Sequence, residues 1–441
     1  MHSKATIARA FASAFLAGEF EVDAIVDRGV QLLGQKWTWL RPLASRLCVA
    51  FEAGPRPRRI TVVKFLLEDV GFQRAYQKYE LRLPGRLATR GTMNPIVGAA
   101  SWNVPPIQTA GKLAEWLGIT VGELEWFADC KQLEYKRNQG RLRHYHYRTL
   151  AKRFGQVRLI EAPKPRLKEI QRRVLTGVIE RIPVHAAAHG FRRGRSIKTF
   201  ATPHVGQAVV ARLDLQDFFP SISAARIQAL FRTVGYPDAV ATQLTGICTN
   251  AAPLDVWDEL LMWPATDRLT NIPFLYAQPH LPQGAPTSPA LANLCAYRLD
   301  CRLSGLAAAA GATYTRYADD LAFSGDAAFS RVAKRFCLHA CAIVLEEGFR
   351  VHHRKTRIMR AGVRQRLAGL LVNERLNVSR SEFDQLKATL TNCARHGADG
   401  QNRGAREDFR AHLLGRISFV AMLNPARGDR LRAIFDRIEW Q

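Results

Sequence analysis

The chain of 441 residues is 47% hydrophobic, enough to bury more than one core and too apolar for a disordered or fibrous protein. Its 64 lysines and arginines against 38 aspartates and glutamates leave a formal charge of +26, which predicts a polyanionic partner. Apolar stretches such as 303 to 312 fall short of the ~20 residues a spanning helix needs, and the start at His2-Ser3-Lys4-Ala5 lacks the form of a signal peptide. Nucleic acid rather than membrane is the expected partner, and the cytoplasm the expected location.

Taken in chain order, residues 1 to about 82 show helical periodicity, with Ile25, Val30, Leu32 and Leu33, then Leu43, Leu47, Val49 and Phe51. From 83 to 106 the pattern breaks into Pro84-Gly85, Asn94-Pro95 and Pro105-Pro106, which are linker dipeptides. Thr109 and the box Thr120-Val-Gly-Glu123 predict a pair of short helices over 109 to 129, either a packing element or a DNA-reading helix-turn-helix. Residues 141 to 148, Arg-Leu-Arg-His-Tyr-His-Tyr-Arg, alternate with period two and predict a strand. On it His144 and His146 would share a side, and its cations and aromatics could grip a nucleic-acid strand or simply lie on an exposed edge. Strands and helices then mix from 151 to 375, and an apolar stripe of Leu413, Leu414, Ile417, Val420, Leu423, Leu431, Ile434 and Ile438 predicts a helical tail. The eight cysteines, at 48, 130, 248, 295, 301, 337, 341 and 393, include no Cys-x-x-Cys pair, so neither a disulfide framework nor a zinc module is expected.

The chemistry concentrates in two segments. Thr313-Tyr-Thr-Arg-Tyr-Ala-Asp319-Asp320-Leu-Ala-Phe-Ser324 sets two adjacent carboxylates between β-favouring runs, as at a hairpin tip. Such a pair repels itself unless a divalent cation sits against it. Val209-Val-Ala-Arg-Leu-Asp214 ends an apolar strand on a third carboxylate. Two strands presenting Asp214 and Asp319 side by side would hold two Mg²⁺ ions about 4 Å apart, the arrangement that activates an attacking hydroxyl and stabilises a leaving pyrophosphate. Nucleotidyl transfer is the reaction this predicts. Asp217 is open to metal ligation or to local hydrogen bonding.

At this point the sequence resembles the reverse transcriptases, and among them the bacterial retron type. Tyr317-Ala-Asp-Asp320 is similar to the family's catalytic box, and Asp214 opens the preceding metal-binding motif. Leu281-Pro-Gln283-Gly284-Ala-Pro-Thr-Ser-Pro289 resembles the motif that positions nucleotide and template, where Gly284 lets backbone approach the base pair. Lys152 and Arg158 resemble the fingers cations that grip the triphosphate. Lys355, seven residues after Gly348, resembles the lysine that can protonate pyrophosphate, although a phosphate-binding role in its basic stretch is also open. Gly369-Leu-Leu-Val-Asn373 resembles the primer-gripping hairpin. Phe219 stands five residues after Asp214, where the family places a ring beneath the incoming sugar that excludes a 2′-hydroxyl; its neighbour Phe218 is explained by core packing.

Retron character is suggested by His189-Gly-Phe-Arg192-Arg-Gly-Arg195-Ser-Ile197, with Arg192 and Arg195 expected on template phosphate and His204 on RNA. The family's Asn-Ala-x-x-His and Val-Thr-Gly elements read Phe200-Ala201-Thr-Pro-His204 and Leu367-Ala368-Gly369 here, departures that bear on RNA recognition rather than on polymerisation. The resemblance implies an α+β right-hand polymerase: a helical N-terminal extension and linker over 1–107, fingers and palm over 108–375, and a helical thumb over 376–441. It further implies that Asp214, Asp319 and Asp320 bind two Mg²⁺, that Lys152, Arg158 and Gln283 position deoxynucleoside triphosphates, and that the basic face holds an RNA–DNA hybrid. The retron substrate would be a structured non-coding RNA, copied in part from an internal guanosine 2′-hydroxyl into multicopy single-stranded DNA, in antiphage defence with an effector protein. A reverse transcriptase of abortive-infection or intron type, the latter expected to continue into a maturase or endonuclease module, and a non-catalytic RNA-binding scaffold are the alternatives. The intact aspartates speak against the scaffold.

Overall fold

The structure, a computed structural model, describes residues 3–16, 19–52, 57–81, 83, 92–136, 143–151, 157–257 and 272–440. It divides into two compact units, each assembled from separate segments.

The first comprises Met1–His144, Lys164–Ile182 and Ala224–Thr249 and is helical. Helices Lys4–Phe15, Val22–Leu33, Leu40–Ala50, Arg59–Glu68 and Val70–Lys78 surround a core of their own. Phe11 is fully buried at its centre, with the rings of Phe15, Trp39 and Phe72 at 5.0, 5.9 and 5.8 Å. The expected helix pair is present at Ala110–Leu117 and Val121–Ala128. Thr109 accepts from the Lys112 amide, and Thr120 and Glu123 satisfy each other's backbone amides as a capping box. The second helix of the pair packs on helix Asp238–Cys248.

The second unit comprises Tyr145–Pro163, Pro183–Ser223 and Asn250–Gln441. In it β1 (Tyr145–Ala151) pairs antiparallel with β2 (Val157–Pro163). A four-stranded antiparallel sheet holds β3 (Val209–Asp214), β4 (Thr313–Tyr317), β5 (Asp320–Gly325) and β6 (Arg357–Arg360) in the order β4-β5-β3-β6. β7 (Arg366–Leu367) and β8 (Leu370–Leu371) form a short hairpin. All of β3 except Arg212 is buried, because its apolar run is covered on both faces. Helix Ala327–Glu346 turns Phe329, Phe336 and Val344 inward, and Phe336 meets Phe323 of β5 edge-on at 5.0 Å. The C-terminal helices Arg380–His396, Phe409–Leu423 and Pro425–Phe435 share a core of Leu386, Leu390, Leu413, Ile417, Val420 and Leu431, which carries the predicted stripe.

Two expectations need correcting. The strand begins at Tyr145, and His144 before it is buried, its Nε2 2.9 Å from the Trp126 carbonyl. The alternation then turns Tyr145 and Tyr147 inward and His146 and Arg148 outward, so cations and aromatics lie on opposite faces rather than forming one gripping surface. The cysteines of the described residues are all free, and no helix there is long and apolar enough to cross a membrane.

Candidate active site

β3 delivers Asp214 at its C-terminal end, and the turn joining β4 to β5 delivers Asp319. Antiparallel register sets Asp214 opposite Asp320, and the Leu215 amide donates to the Asp319 carbonyl at 2.8 Å, which fastens the turn to the end of β3. Asp214 and Asp319 thus line one cavity of about 230 Å³. Around them stand Arg158, Gln283, Phe219 and Lys355, all anticipated from sequence, together with Phe191 and Tyr276, which were not.

The electrostatics of the pair are those of crowded carboxylates. Burial, and then the charge of Asp214, raise the Asp319 carboxyl above its ordinary range. Lys355 Nζ donates to Asp214 Oδ1 at 2.8 Å while its side chain remains half exposed, so the lysine faces the cavity rather than bulk solvent alone. Hard carboxylate oxygens from two strands, mutually repelling and served by one ammonium, suit a divalent cation by donor chemistry. Among the described residues no group of three or more His, Cys, Asp or Glu side chains forms a metal-ligand cluster.

Asp320, the third expected carboxylate, faces away from the other two. Its carboxylate leans along the sheet to Arg212, whose Nη2 and Nε lie 2.6 and 2.8 Å from Oδ1, and it does not line the cavity. Burial pushes its carboxyl up to about 6 despite the opposing guanidinium. Asp217 sits in the left-handed region (φ 46°), lines the cavity and accepts from Gln216 Nε2 at 3.2 Å.

The two adjacent phenylalanines differ in burial. Phe218 is buried against Phe349 at 5.6 Å, whereas Phe219 is partly exposed on the cavity wall with Phe191 at 6.0 Å. Gly284 holds a backbone conformation and a close approach that favour glycine. Its φ is 142°, and a Cβ would stand 2.7 Å from the Glu161 carbonyl, so the close approach observed is to β2. Glu161 donates its amide to the Gln283 carbonyl at 2.9 Å. Its side chain is fully buried between Asn250 Nδ2 at 2.8 Å and His280 Nε2 at 2.9 Å. Burial disfavours the His280 cation, but the Glu161 charge and hydrogen bond outweigh it and raise the imidazole. This pair ties the strand carrying Arg158 to the loop carrying Gln283.

His204, expected to meet RNA, is a core residue. It is fully buried, its Nδ1 2.6 Å from Ser324 Oγ and its Nε2 2.7 Å from Thr315 Oγ1, and burial lowers it to about 4. It is a neutral rivet between β4 and β5 with no atom available to a nucleic acid. Arg195 is exposed, and Arg192 keeps a buried Nη1 without a hydrogen-bond partner. The β7–β8 turn places Ala368 and Gly369 both at positive φ (45° and 89°), as a two-residue hairpin turn requires. Lys152 lies outside the described residues.

Comparison with known proteins bears on the same region. A family model described as reverse transcriptase (RNA-dependent DNA polymerase) matches residues 150–389. The retron Mx65 reverse transcriptase of Myxococcus xanthus is 43% identical over 336 residues, covering 75% of this chain and 72% of that protein. The retron Mx162 reverse transcriptase of the same organism is 39% identical over 349 residues, 76% of this chain and 67% of that one. The retron Ec86 reverse transcriptase of Escherichia coli is 29% identical over 284 residues, 64% of this chain and 77% of that one.

Proposed function

The chain belongs to the reverse transcriptases of the retron type, an RNA-directed DNA polymerase with the right-hand fold, and from that premise we propose that it copies part of a structured non-coding RNA into single-stranded DNA at the Asp214–Asp319 cavity. The observation that carries this reading is the placement of both carboxylates, from adjacent strands, in one cavity with Arg158, Gln283 and Phe219. Asp214 and Asp319 would hold two Mg²⁺ ions, which supply activation of the attacking hydroxyl and charge stabilisation of the departing pyrophosphate. Asp320 would be their third carboxylate on turning from its pair with Arg212.

The remaining roles fall to this chain's own side chains. Arg158 receives triphosphate oxygens and Gln283 fixes the nucleotide against the template, with Lys152 expected to assist the first. Phe219 fills the volume beneath the sugar. Lys355 holds a proton beside Asp214, where it can be passed to pyrophosphate. Arg192 and Arg195 take template phosphate. Fingers and palm over 108–375, a thumb over 376–441 and the extension over 1–107 complete this assignment. The product as multicopy single-stranded DNA primed from an internal 2′-hydroxyl, and service in antiphage defence with an effector protein, belong to the same reading and follow from the retron resemblance.

Salt titration tests whether a particular RNA is read. A chain of charge +26 neutralises several phosphates and releases their counterions. At about 0.7 of log-slope per phosphate on single strands, five contacts give a slope of roughly −3.5. The structured RNA that copurifies with the protein is expected to retain affinity at high salt that an unrelated hairpin of equal length loses, since stacked bases and 2′-hydroxyl contacts release no counterions. Identical curves for the two RNAs would remove the retron-specific part of the proposal.

A further inference from the structure

Directly behind the cavity lies a charged group that polymerisation chemistry does not require and that a core would ordinarily exclude. Arg316 of β4 is fully buried. Its Nε and Nη2 each lie 2.7 Å from the two oxygens of Asp300, itself fully buried and bonded by the Tyr314 hydroxyl at 2.8 Å. Its Nη1 serves two further acceptors, the Asn293 side-chain carbonyl at 3.0 Å and the main-chain carbonyl of Ala318 at 3.1 Å. Asn293 in turn donates to the Gly190 carbonyl at 2.8 Å. Gly190 closes the ring, because a Cβ there would stand 2.6 Å from the Ala318 nitrogen.

Ala318 is the residue before Asp319 and holds φ at 55°, a left-handed conformation that costs an alanine energy. A strained turn persists only where its surroundings over-determine it, and here the surroundings are a guanidinium on one side and a side-chain-free backbone on the other. Burying an arginine and an aspartate is expensive even when they pair, so a pure packing role would be met as well by apolar residues. A planar fork with several donors, by contrast, can fix a carbonyl, an amide and a carboxylate in one geometry.

We propose that Arg316, with Asn293 and Asp300, is a positioning device that holds the Ala318 turn so that the Asp319 carboxylate faces Asp214. The inference rests on Asp319 being catalytic. Arg316 touches no substrate and acts through the turn.

The test uses the full chain on a primed RNA template, with two variants. Arg316→Lys retains the charge opposite Asp300 but cannot span Asn293 and the Ala318 carbonyl. Asn293→Ala leaves the Arg316–Asp300 pair and removes the link to Gly190. Displacing a reacting group by ~1 Å costs about a hundredfold in rate, so Arg316→Lys should lower the incorporation rate per competent site by about that factor, and Asn293→Ala in the same direction. Nucleotide KM and affinity for the primed template should stay within about twofold, the split expected when only transition-state interactions are lost. Competent sites are counted from the first-turnover burst, so a variant that merely folds poorly loses amplitude and not rate. Loss of amplitude or melting temperature with a wild-type rate per site would overturn the proposal, as would a rate loss matched by equal losses in KM and template affinity. If Arg316→Lys does not fold, Asn293→Ala alone decides by the same readings. Asp319→Asn is run alongside: activity in that variant would remove the reading of the site itself, whereas an inactive Asp319→Asn beside a fully active Arg316→Lys would remove only the positioning role.

Discussion

Asp319→Asn is expected to abolish DNA synthesis while leaving affinity for RNA nearly unchanged and the fold at least as stable. The substitution keeps shape and removes one negative charge from a cavity that contains Asp214. Burial and the neighbouring carboxylate already disfavour the charged form of Asp319, so the neutral amide relieves repulsion in the folded state. In the proposed mechanism catalysis would lose a hard anionic metal ligand and with it charge stabilisation worth several kcal/mol, about a thousandfold or more in rate. In the same proposal RNA affinity would rest on the excess of lysine and arginine and not on this carboxylate. Primer extension, RNA binding and thermal melting on one preparation separate the three effects. Extension at the wild-type rate would sink the catalytic assignment, and a lowered melting temperature would show that Asp319 serves the fold.

Phe219→Ala is expected to admit ribonucleotides. The ring stands partly exposed on the cavity wall, and removing it opens volume that a 2′-hydroxyl would otherwise contest. Pockets discriminate small groups by shape on a scale of about 10- to 200-fold, so the ratio of deoxy- to ribonucleotide incorporation should fall by about tenfold or more. Phe218 is the internal control. Buried on Phe349 and set against the Arg316 guanidinium at 5.9 Å, it should cost about 3–5 kcal/mol of stability on truncation to alanine. An unchanged ratio in Phe219→Ala would reassign that ring to the core as well.

What could be read from sequence was local. The capping box at Thr120 and Glu123, the stripe from Leu413 to Leu431, and the apolar runs ending on Asp214 and Asp319 depend on residues a few positions apart, where periodicity and cap chemistry act. What escaped depends on partners far apart in the chain. Arg212 meets Asp320 108 residues away, and His280 meets Glu161 119 residues away. Only the tertiary register of β3 against β5, or of β2 against the 280–284 loop, decides such pairs. His204 was recognised by its motif but misplaced by it, because a motif gives no burial and the imidazole spans Ser324 and Thr315 inside the core. Arg316 did leave a signal: a lone arginine in a strand between Thr315 and Tyr317, three residues before Asp319, must either face solvent or be neutralised by a partner. Asp300 is that partner, one helix earlier in the chain.

The claim that this chain turns a particular RNA into DNA is tested most directly by sequencing the nucleic acid that copurifies with the wild-type protein and with Asp319→Asn. Wild-type protein should carry one structured RNA together with single-stranded DNA complementary to part of it, and the variant should carry the same RNA without the DNA. Complementary DNA in equal amount on both proteins, or none on the wild type, would contradict the account.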